Sequence, residues 1–180
     1  MDYKINQGST IQEANWDEKT CVRRQGGYSI DASSLPSDLA YLPKGAVLAL
    51  TSADTVSLVK TAVANVDAKA AATSLKVDKG HLLKVGDTIA GSTISAINTT
   101  NSDYDTLTVS ALAADVKKGD VVADGNVDNV IGLNYATVKI DSFPTCTVTV
   151  QAYEIEEDTL PYPVNDAIKA ALTSRHAWKV

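Results

Sequence analysis

The fold is decided by the stretch that begins Leu75-Lys76-Val77 and reaches Gly86-Asp87-Thr88-Ile89 after eight intervening residues. A similar pattern follows, in which Leu107-Thr108-Val109 leads after nine residues to Gly119-Asp120-Val121-Val122. Each copy is typical of a strand, a loop, a Gly-Asp turn and a second strand, because Gly tolerates positive φ and Asp bonds its own backbone. Two such halves can bury one core between them, which a lone hairpin cannot. We therefore predict a small closed β-barrel or sandwich of about 50 residues.

This predicted module, residues 72–122, interrupts a second β-rich unit made of residues 44–71 and 123–160. An apolar run at 44–50 and an alternating segment at 145–155 predict strands of that unit. Insertion at an exposed loop is tolerated when the ends of the insert lie close together. The sequence thus predicts a mainly β protein, in which a small barrel or sandwich base domain carries an inserted small barrel.

Residues 1–43 show no persistent helical or strand period, yet large apolar residues are spaced along them. A disordered tail is poor in such residues, so we predict an extended arm along the chain's own surface or a neighbour's. A flexible tail with incidental aromatics is the alternative. Large rigid aromatic side chains concentrate binding energy in a few residues. Trp16→Ala should therefore weaken attachment of the protein to its partner by about 2–4 kcal/mol and leave the fold of residues 44–160 intact. The predicted partner-binding residues, which include one at the other end of the chain, are Tyr3, Ile5, Ile11, Trp16, Tyr28 and Trp178.

The last predicted unit, residues 161–180, is a short C-terminal helix. Asn165 can cap its N-terminus, and Ile168 and Leu172 fall on one face. The helix either docks onto a partner, with Trp178 as an aromatic anchor, or covers the base domain.

The sequence offers no pattern for catalysis or for a cofactor. Neither His81, in a predicted turn, nor His176, at a helix end, belongs to a visible nucleophile arrangement, and no phosphate-binding glycine loop is present. Cys21 and Cys146 lie far apart, so a disulfide is not favoured without a secretion signal, and a metal site is favoured even less. We therefore predict a protein that is not an enzyme and holds neither cofactor nor metal.

Two acidic segments are likewise explained better by local structure than by metal binding or catalysis. The segment 124–128 is similar to a calcium loop but lacks the later ligands, including the bidentate Glu. The acidic run at 154–158 is typical of a solvated face, with docking onto a basic partner as the alternative. A net charge of −6 disfavours a nucleic-acid surface, and neither a membrane span nor a signal peptide is visible.

Nearly the whole chain resembles head fiber or head decoration proteins of tailed bacteriophages, particularly those of gut phages. The segments that carry the resemblance are Met1-Asp2-Tyr3-Lys4-Ile5-Asn6-Gln7-Gly8-Ser9-Thr10, Leu42-Pro43-Lys44-Gly45-Ala46-Val47-Leu48, Gly80-His81-Leu82-Leu83-Lys84-Val85-Gly86-Asp87 and Leu160-Pro161-Tyr162-Pro163-Val164-Asn165-Asp166-Ala167-Ile168. The resemblance implies a non-enzymatic virion protein on the outer capsid surface, made in the host cytoplasm, that binds the major capsid protein and projects outward.

Apolar residues in irregular segments at both ends also favour a homo-oligomer. The resemblance favours a trimer, with a dimer as the alternative. A different class of function, a carbohydrate-binding adhesin for host-surface glycans, would use Tyr104 or Tyr135 to stack on sugars.

Overall fold

The computed structural model describes residues 12–24, 27–141 and 144–179. The protein is mainly β, with 44% of residues in strands and 10% in helices, which confirms the predicted fold class. In chain order the elements are β1 (Asp17–Arg23), β2 (Tyr28–Ile30), β3 (Tyr41–Leu42), β4 (Val47–Ser52), β5 (Thr55–Leu58), β6 (Thr61–Val63), β7 (Ser74–Asp78), β8 (Thr88–Ile89), β9 (Ser92–Asn98), β10 (Tyr104–Val109), β11 (Val121–Ala123), β12 (Val130–Asn134), β13 (Val138–Lys139), β14 (Thr145–Cys146), β15 (Val148–Ile155), α1 (Asp166–Leu172) and β16 (His176–Trp178).

The base of the molecule is a curled sheet in the order β1-β15-β12-β4-β5-β2-β14, with β16 added beside β15. Its pairs are antiparallel, except that β2 with β5 and β15 with β16 are parallel. Val47 and Ala49 of β4 face one core, whereas Ala46 and Leu48 face a second core on the opposite side of the sheet. Because both faces of the chain are buried at the start of β4, residues 46–50 are a continuous apolar run and not an alternating one.

A second unit is a small barrel with the cyclic strand order β7-β10-β9-β8-β11-β6. The two gaps in this order are closed by single bridges, Ala64 to Val77 and Ile89 to Asp124. The residues that fill the interior are Ala62, Ala64, Leu75, Val77, Leu83, Ile89, Ile94, Leu107, Val109, Leu112, Val116 and Val122. The barrel core therefore includes Ala62 and Ala64, which the sequence prediction had given to the base.

The two Gly-Asp turns have the same local structure. The Asp87 carboxylate accepts the backbone N–H of Lys84 at 2.7 Å, and the Asp120 carboxylate accepts that of Lys117, also at 2.7 Å. The Asp87 N–H donates to the Lys84 carbonyl at 3.1 Å, and the Asp120 N–H donates to the Lys117 carbonyl at 3.0 Å. The repeat in the sequence is thus a repeat in the structure.

The two halves of the barrel interlock through these turns. Gly86, at φ 96°, donates to the Ile94 carbonyl at 2.9 Å, and Gly119, at φ 89°, donates to the Ala64 carbonyl at 2.8 Å. In return, the Ile94 N–H donates to Asp87 and the Ala64 N–H donates to Asp120. If β6 is counted with the first copy and β9 with the second, each turn bonds the other half, because Ile94 lies in β9 and Ala64 directly follows β6. Neither half can therefore complete its hydrogen bonds alone.

The predicted arm differs most from the structure. Residues 17–23 form β1 on β15, and residues 28–30 form β2 between β5 and β14. These residues therefore lie on the chain's own base, one of the two surfaces that the prediction left open, but as strands of the sheet and not as an arm without secondary structure. Their strands are short or irregular in register, and their partners are mostly distant in the chain, so no period is visible in the sequence.

The C-terminal helix is confirmed. Its cap is Asn165, whose side chain accepts the Ile168 N–H at 2.9 Å. Ile168 and Leu172 are buried in the base core, so the helix covers the base domain, which was one of the two alternatives. Trp178 lies in β16, beside β15.

Candidate functional site

A cleft of about 920 Å³ separates the base from the barrel. Leu39, Tyr41 and Tyr162 line it from the base, and residues 79–85 line it from the barrel. The barrel side is the loop that leads from β7 into the first Gly-Asp turn. The first copy of the repeat therefore supplies Lys79 and His81 to this cleft, and β10 supplies Asp105.

Three ionisable groups meet in the cleft. Asp105 of β10, which is 5% exposed, lies with one carboxylate oxygen 2.5 Å from the Lys79 ammonium and with the other 3.2 Å from His81 Nε2. His81 Nδ1 accepts the Leu83 N–H at 3.2 Å, so the neutral ring carries its proton on Nε2. That nitrogen approaches Asp105 without the alignment of a full hydrogen bond.

Burial lowers the pKa of His81, and this outweighs the opposing effect of the nearby Asp105 carboxylate. The partners of the ring, a backbone N–H and a carboxylate, fix its orientation and activate neither a hydroxyl nor a thiol. The arrangement is thus suited to holding the loop at 79–85 in place.

A second polar cluster joins the two units. Lys60, which lies between β5 and β6 and is 3% exposed, donates its ammonium to Asp87 at 2.5 Å and to the Ser34 carbonyl at 3.1 Å. Its backbone N–H donates to the Asp124 carboxylate at 3.1 Å, and the Asp124 N–H donates to the Lys60 carbonyl at 2.9 Å. The two chain segments that connect base and barrel are therefore paired where they cross between the units.

Asp124 also opens the segment similar to a calcium loop. Its carboxylate is occupied by the N–H groups of Lys60 and Asn126, and burial raises its pKa. Within the described ranges, no group of three or more His, Cys, Asp or Glu side chains could hold a metal ion.

The predicted partner-binding residues fall in three settings. Trp16 is 4% exposed in the base core, with the Lys44 ammonium 4.2 Å from its ring centre, and Tyr28 is 3% exposed in the other base core. Both rings are covered by the chain's own residues, so the structure contradicts their prediction as anchors for a partner. Trp178 is half-buried, with the Lys169 ammonium 5.3 Å from its ring. Tyr3, Ile5 and Ile11 lie outside the described residues.

The two cysteines are free thiols. Cys21 lies with its sulfur 3.6 Å from the Thr149 hydroxyl, and burial raises its pKa. Burial also raises the pKa of Cys146, to about 12. Neither thiol is therefore ionised near neutral pH.

The acidic run differs from a purely solvated face. Glu156 accepts the Lys179 ammonium at 2.6 Å and the Asn15 amide at 3.0 Å, and Glu157 accepts the Lys169 ammonium at 2.6 Å. These contacts tie the segment before β1 and the last residues of the chain to the end of β15.

Sequence reasoning missed Lys60, Lys79 and Asp105 as parts of polar clusters. For Lys60 a signal existed, since it is the one charged residue in a mostly apolar segment, residues 56–63, whose composition is typical of a strand. For Lys79 and Asp105 no signal existed, because the partners lie 26 positions apart.

Comparisons with known proteins add no assignment: no family model matches the chain, and neither a curated protein nor a solved structure is significantly similar to it. Among the described residues, no helix has the length and apolar character needed to cross a membrane.

Proposed function

We propose that this chain is a structural protein of a tailed-phage particle, a head fiber or decoration protein that binds the major capsid protein and projects from the outer capsid surface. The structural observation that supports an outward projection is the joint between base and barrel, where an ion pair and several hydrogen bonds link the two units. A unit that projects from a shell must keep its orientation against solvent, and a single flexible linker would not hold it.

The joint is built from several independent contacts. The paired segments at Lys60 and Asp124 form one of them, and the buried ion pair from Lys60 to Asp87 forms another. In β11, close to this pairing along the same strand, the Asn165 amide donates to the Val121 carbonyl at 3.0 Å. Because these contacts come from two separate segments of the base, at Lys60 and at Asn165, they hold the barrel to the base at more than one point.

The capsid part of the proposal rests on the sequence resemblance to head fiber and decoration proteins. The joint between base and barrel is compatible with it, since the base can attach while the barrel points outward. The net charge of −6 keeps such a projecting surface soluble and disfavours binding to nucleic acid.

We also propose a homo-oligomer, with a trimer favoured over a dimer. β1 is an edge strand of the base sheet, and Val22 in β1 and Tyr153 in the neighbouring β15 are 47% and 37% exposed. Edge strands with exposed apolar residues are sites of pairing between chains. Light scattering of the purified protein should give a multiple of the chain mass of 19.0 kDa. A monomeric mass at tens of micromolar protein, with or without capsids present, would contradict the proposed homo-oligomer.

The capsid proposal is tested by rebinding. Purified protein is mixed with particles that lack it, and co-sedimentation together with image reconstruction shows whether ordered copies cover the shell. Full-length protein should saturate at a fixed ratio to the major capsid protein. Val85→Ser, at a position 58% exposed on the barrel, is a control expected to bind normally. Absence of saturable binding to intact particles would refute the proposal.

The carbohydrate-binding alternative gains no support from the two tyrosines. The Lys76 ammonium lies 4.5 Å from the Tyr104 ring centre, and the Arg23 guanidinium lies 4.6 Å from that of Tyr135. One face of each ring is thus covered by a cation and not offered to a sugar.

A further inference from the structure

The ring of His176 stands between two backbone carbonyl groups. The residue is 4% exposed, with Nδ1 2.8 Å from the Leu172 carbonyl oxygen and Nε2 3.2 Å from the Thr149 carbonyl oxygen. A carbonyl oxygen only accepts hydrogen bonds, so each nitrogen must carry a proton to bond its partner. A neutral ring has one such proton, and turning the ring over replaces both nitrogens by carbons. Only the doubly protonated imidazolium therefore satisfies both carbonyls.

The two carbonyls belong to different elements of the base. Leu172 is the last residue of α1, so its carbonyl is among those that have no partner inside the helix. The C-terminal end of a helix also favours a positive charge beside it. Thr149 lies in β15, next to the strand that His176 begins. The ring thus joins the helix end to the sheet at the point where the chain enters β16.

The other histidine has the opposite surroundings. His81 Nδ1 accepts the Leu83 N–H at 3.2 Å, so that nitrogen must be without a proton. A second proton would break this contact of His81, whereas it completes a contact of His176. The two histidines of the chain therefore serve as controls for each other.

The segment that His176 holds is short and begins in a strained turn. Thr173, between α1 and β16, has φ 61°, in the left-handed region that a β-branched residue disfavours. The Ala152 N–H donates to the Arg175 carbonyl at 3.0 Å, and the Lys179 N–H donates to the Ile155 carbonyl at 2.9 Å. A terminal strand held by few backbone hydrogen bonds opens more readily than the core does. The two contacts of the His176 ring are therefore a large part of what keeps β16 in place.

Other ionisable groups on the elements around the ring do not compete with it. They are Cys21 of β1, Tyr153 and Glu154 of β15, Asp166 and Lys169 of α1, and Arg175 and Lys179 of the ring's own segment. Histidine is the side chain that ordinarily changes charge between about pH 5 and 8. Burial raises the pKa of the Cys21 thiol, and the hydrogen bond to Glu156 raises the pKa of Lys179, so both stay protonated in that range. Among the described residues, no carboxylate oxygen lies within 4.0 Å of a His176 ring nitrogen.

We propose that His176 is a proton-dependent clamp that holds the C-terminal strand β16 on the base. With both ring nitrogens protonated, the ring donates to Leu172 and to Thr149 at once. When the pH rises and the ring releases one proton to solvent, one carbonyl faces a nitrogen lone pair, and β16 loosens. The inference concerns only how the chain holds its own last strand, so it does not rest on the capsid assignment.

The test follows the ring and the strand together in the full chain, between about pH 6 and 8. The chain has two histidines, so ¹⁵N-labelled histidine reports both rings by NMR, and His81→Gln assigns the signals. We expect both nitrogens of His176 to carry protons at the acidic end and one to lose its proton as the pH rises. The protection of the Ala152 and Lys179 amides against hydrogen exchange, corrected for the intrinsic rate at each pH, should fall about tenfold over the same transition, which is the value of one hydrogen bond.

His176→Gln is the decisive variant, because its amide can donate to a carbonyl but cannot take up a proton. Protection of the same two amides should be low in this variant and should not change over the pH range. His81→Gln is the matched control, since it removes the other histidine, and its β16 should respond to pH like that of the unchanged protein.

Three results would overturn the proposal. One is a His176 ring that carries a single proton over the whole pH range. Another is protection of β16 that does not depend on pH in the unchanged protein. The third is a pH response of β16 that persists in His176→Gln or disappears in His81→Gln. The first two are measured on the unchanged protein, so they decide the matter even where His176→Gln fails to fold.

Discussion

Replacing Asp87 by Asn should destabilise the protein far more than the same change at Asp120. The side chains of Lys60 and Asp87 are 3% and 12% exposed, and their charged atoms lie 2.5 Å apart. Removing one partner of a buried ion pair costs about 3–5 kcal/mol, because the other charge remains buried and uncompensated. Here the Ser34 carbonyl keeps one hydrogen bond to Lys60, and the Asn oxygen can still accept another. We therefore expect a loss of about 2–3 kcal/mol.

Asp120→Asn is the matched control, because the repeat gives it the same backbone hydrogen bond but neither burial nor a lysine partner. It should change the free energy of unfolding by no more than about 0.5 kcal/mol. Urea unfolding followed by far-UV circular dichroism measures both variants. Equal losses would refute the reasoning, since the cost would then belong to the turn and not to the buried pair.

A double-mutant cycle isolates the pair itself. Lys60→Met is measured alone and together with Asp87→Asn. Because both changes remove the same interaction, the double variant should lose less than the sum of the single losses. Additive losses would show that Lys60 and Asp87 contribute to stability independently.

Three further predictions concern the base core, its backbone and the cleft. Trp16→Ala should lower the free energy of unfolding by about 3–5 kcal/mol, because it leaves a large cavity in the base core. Trp16→Phe also removes a buried N–H that has no partner, so it should cost under about 1.5 kcal/mol. If denaturant unfolding ranks the two variants otherwise, the placement of Trp16 in the core is contradicted. Gly132→Ala should lower the midpoint of thermal unfolding strongly, because a Cβ at φ 155° would lie 2.1 Å from the Thr149 carbonyl oxygen. Gly125→Ala is the control: its Cβ would meet nothing nearer than 3.8 Å, so the midpoint should stay nearly unchanged. Burial holds the pKa of His81 below the ordinary histidine value of about 6.5, so its contribution should reduce stability as pH falls below 6.5 and level off below the folded-state pKa. Urea unfolding at several pH values should show a weaker decline of stability in His81→Gln, and an identical decline would refute this contribution.

The capsid proposal and the clamp proposal are separable by these experiments. Failure of the protein to bind particles would leave the results on the His176 ring and on β16 intact. Normal particle binding by His176→Gln would show that the capsid contact does not depend on the clamp.

The sequence by itself determined the elements whose signals are local. The barrel was predictable because Leu75 and Leu107 begin matching patterns that end in Gly-Asp turns, and the turn chemistry resides within a few consecutive residues. The C-terminal helix was predictable for the same reason, since its cap at Asn165 and its apolar face at Ile168 and Leu172 lie within one short segment.

Only the tertiary structure decided what depends on contacts between distant residues. β1 and β2 exist because β15, β5 and β14 supply their hydrogen bonds, and Trp16 and Tyr28 are buried because those pairings bring the N-terminal segments onto the base sheet. The same holds for the charges. Lys60 and Asp87 are 27 positions apart, and Lys60 and Asp124 are 64 apart, so no local pattern links them. The difference between the two equivalent turns likewise arises from packing, because the base covers the first turn and leaves the second exposed.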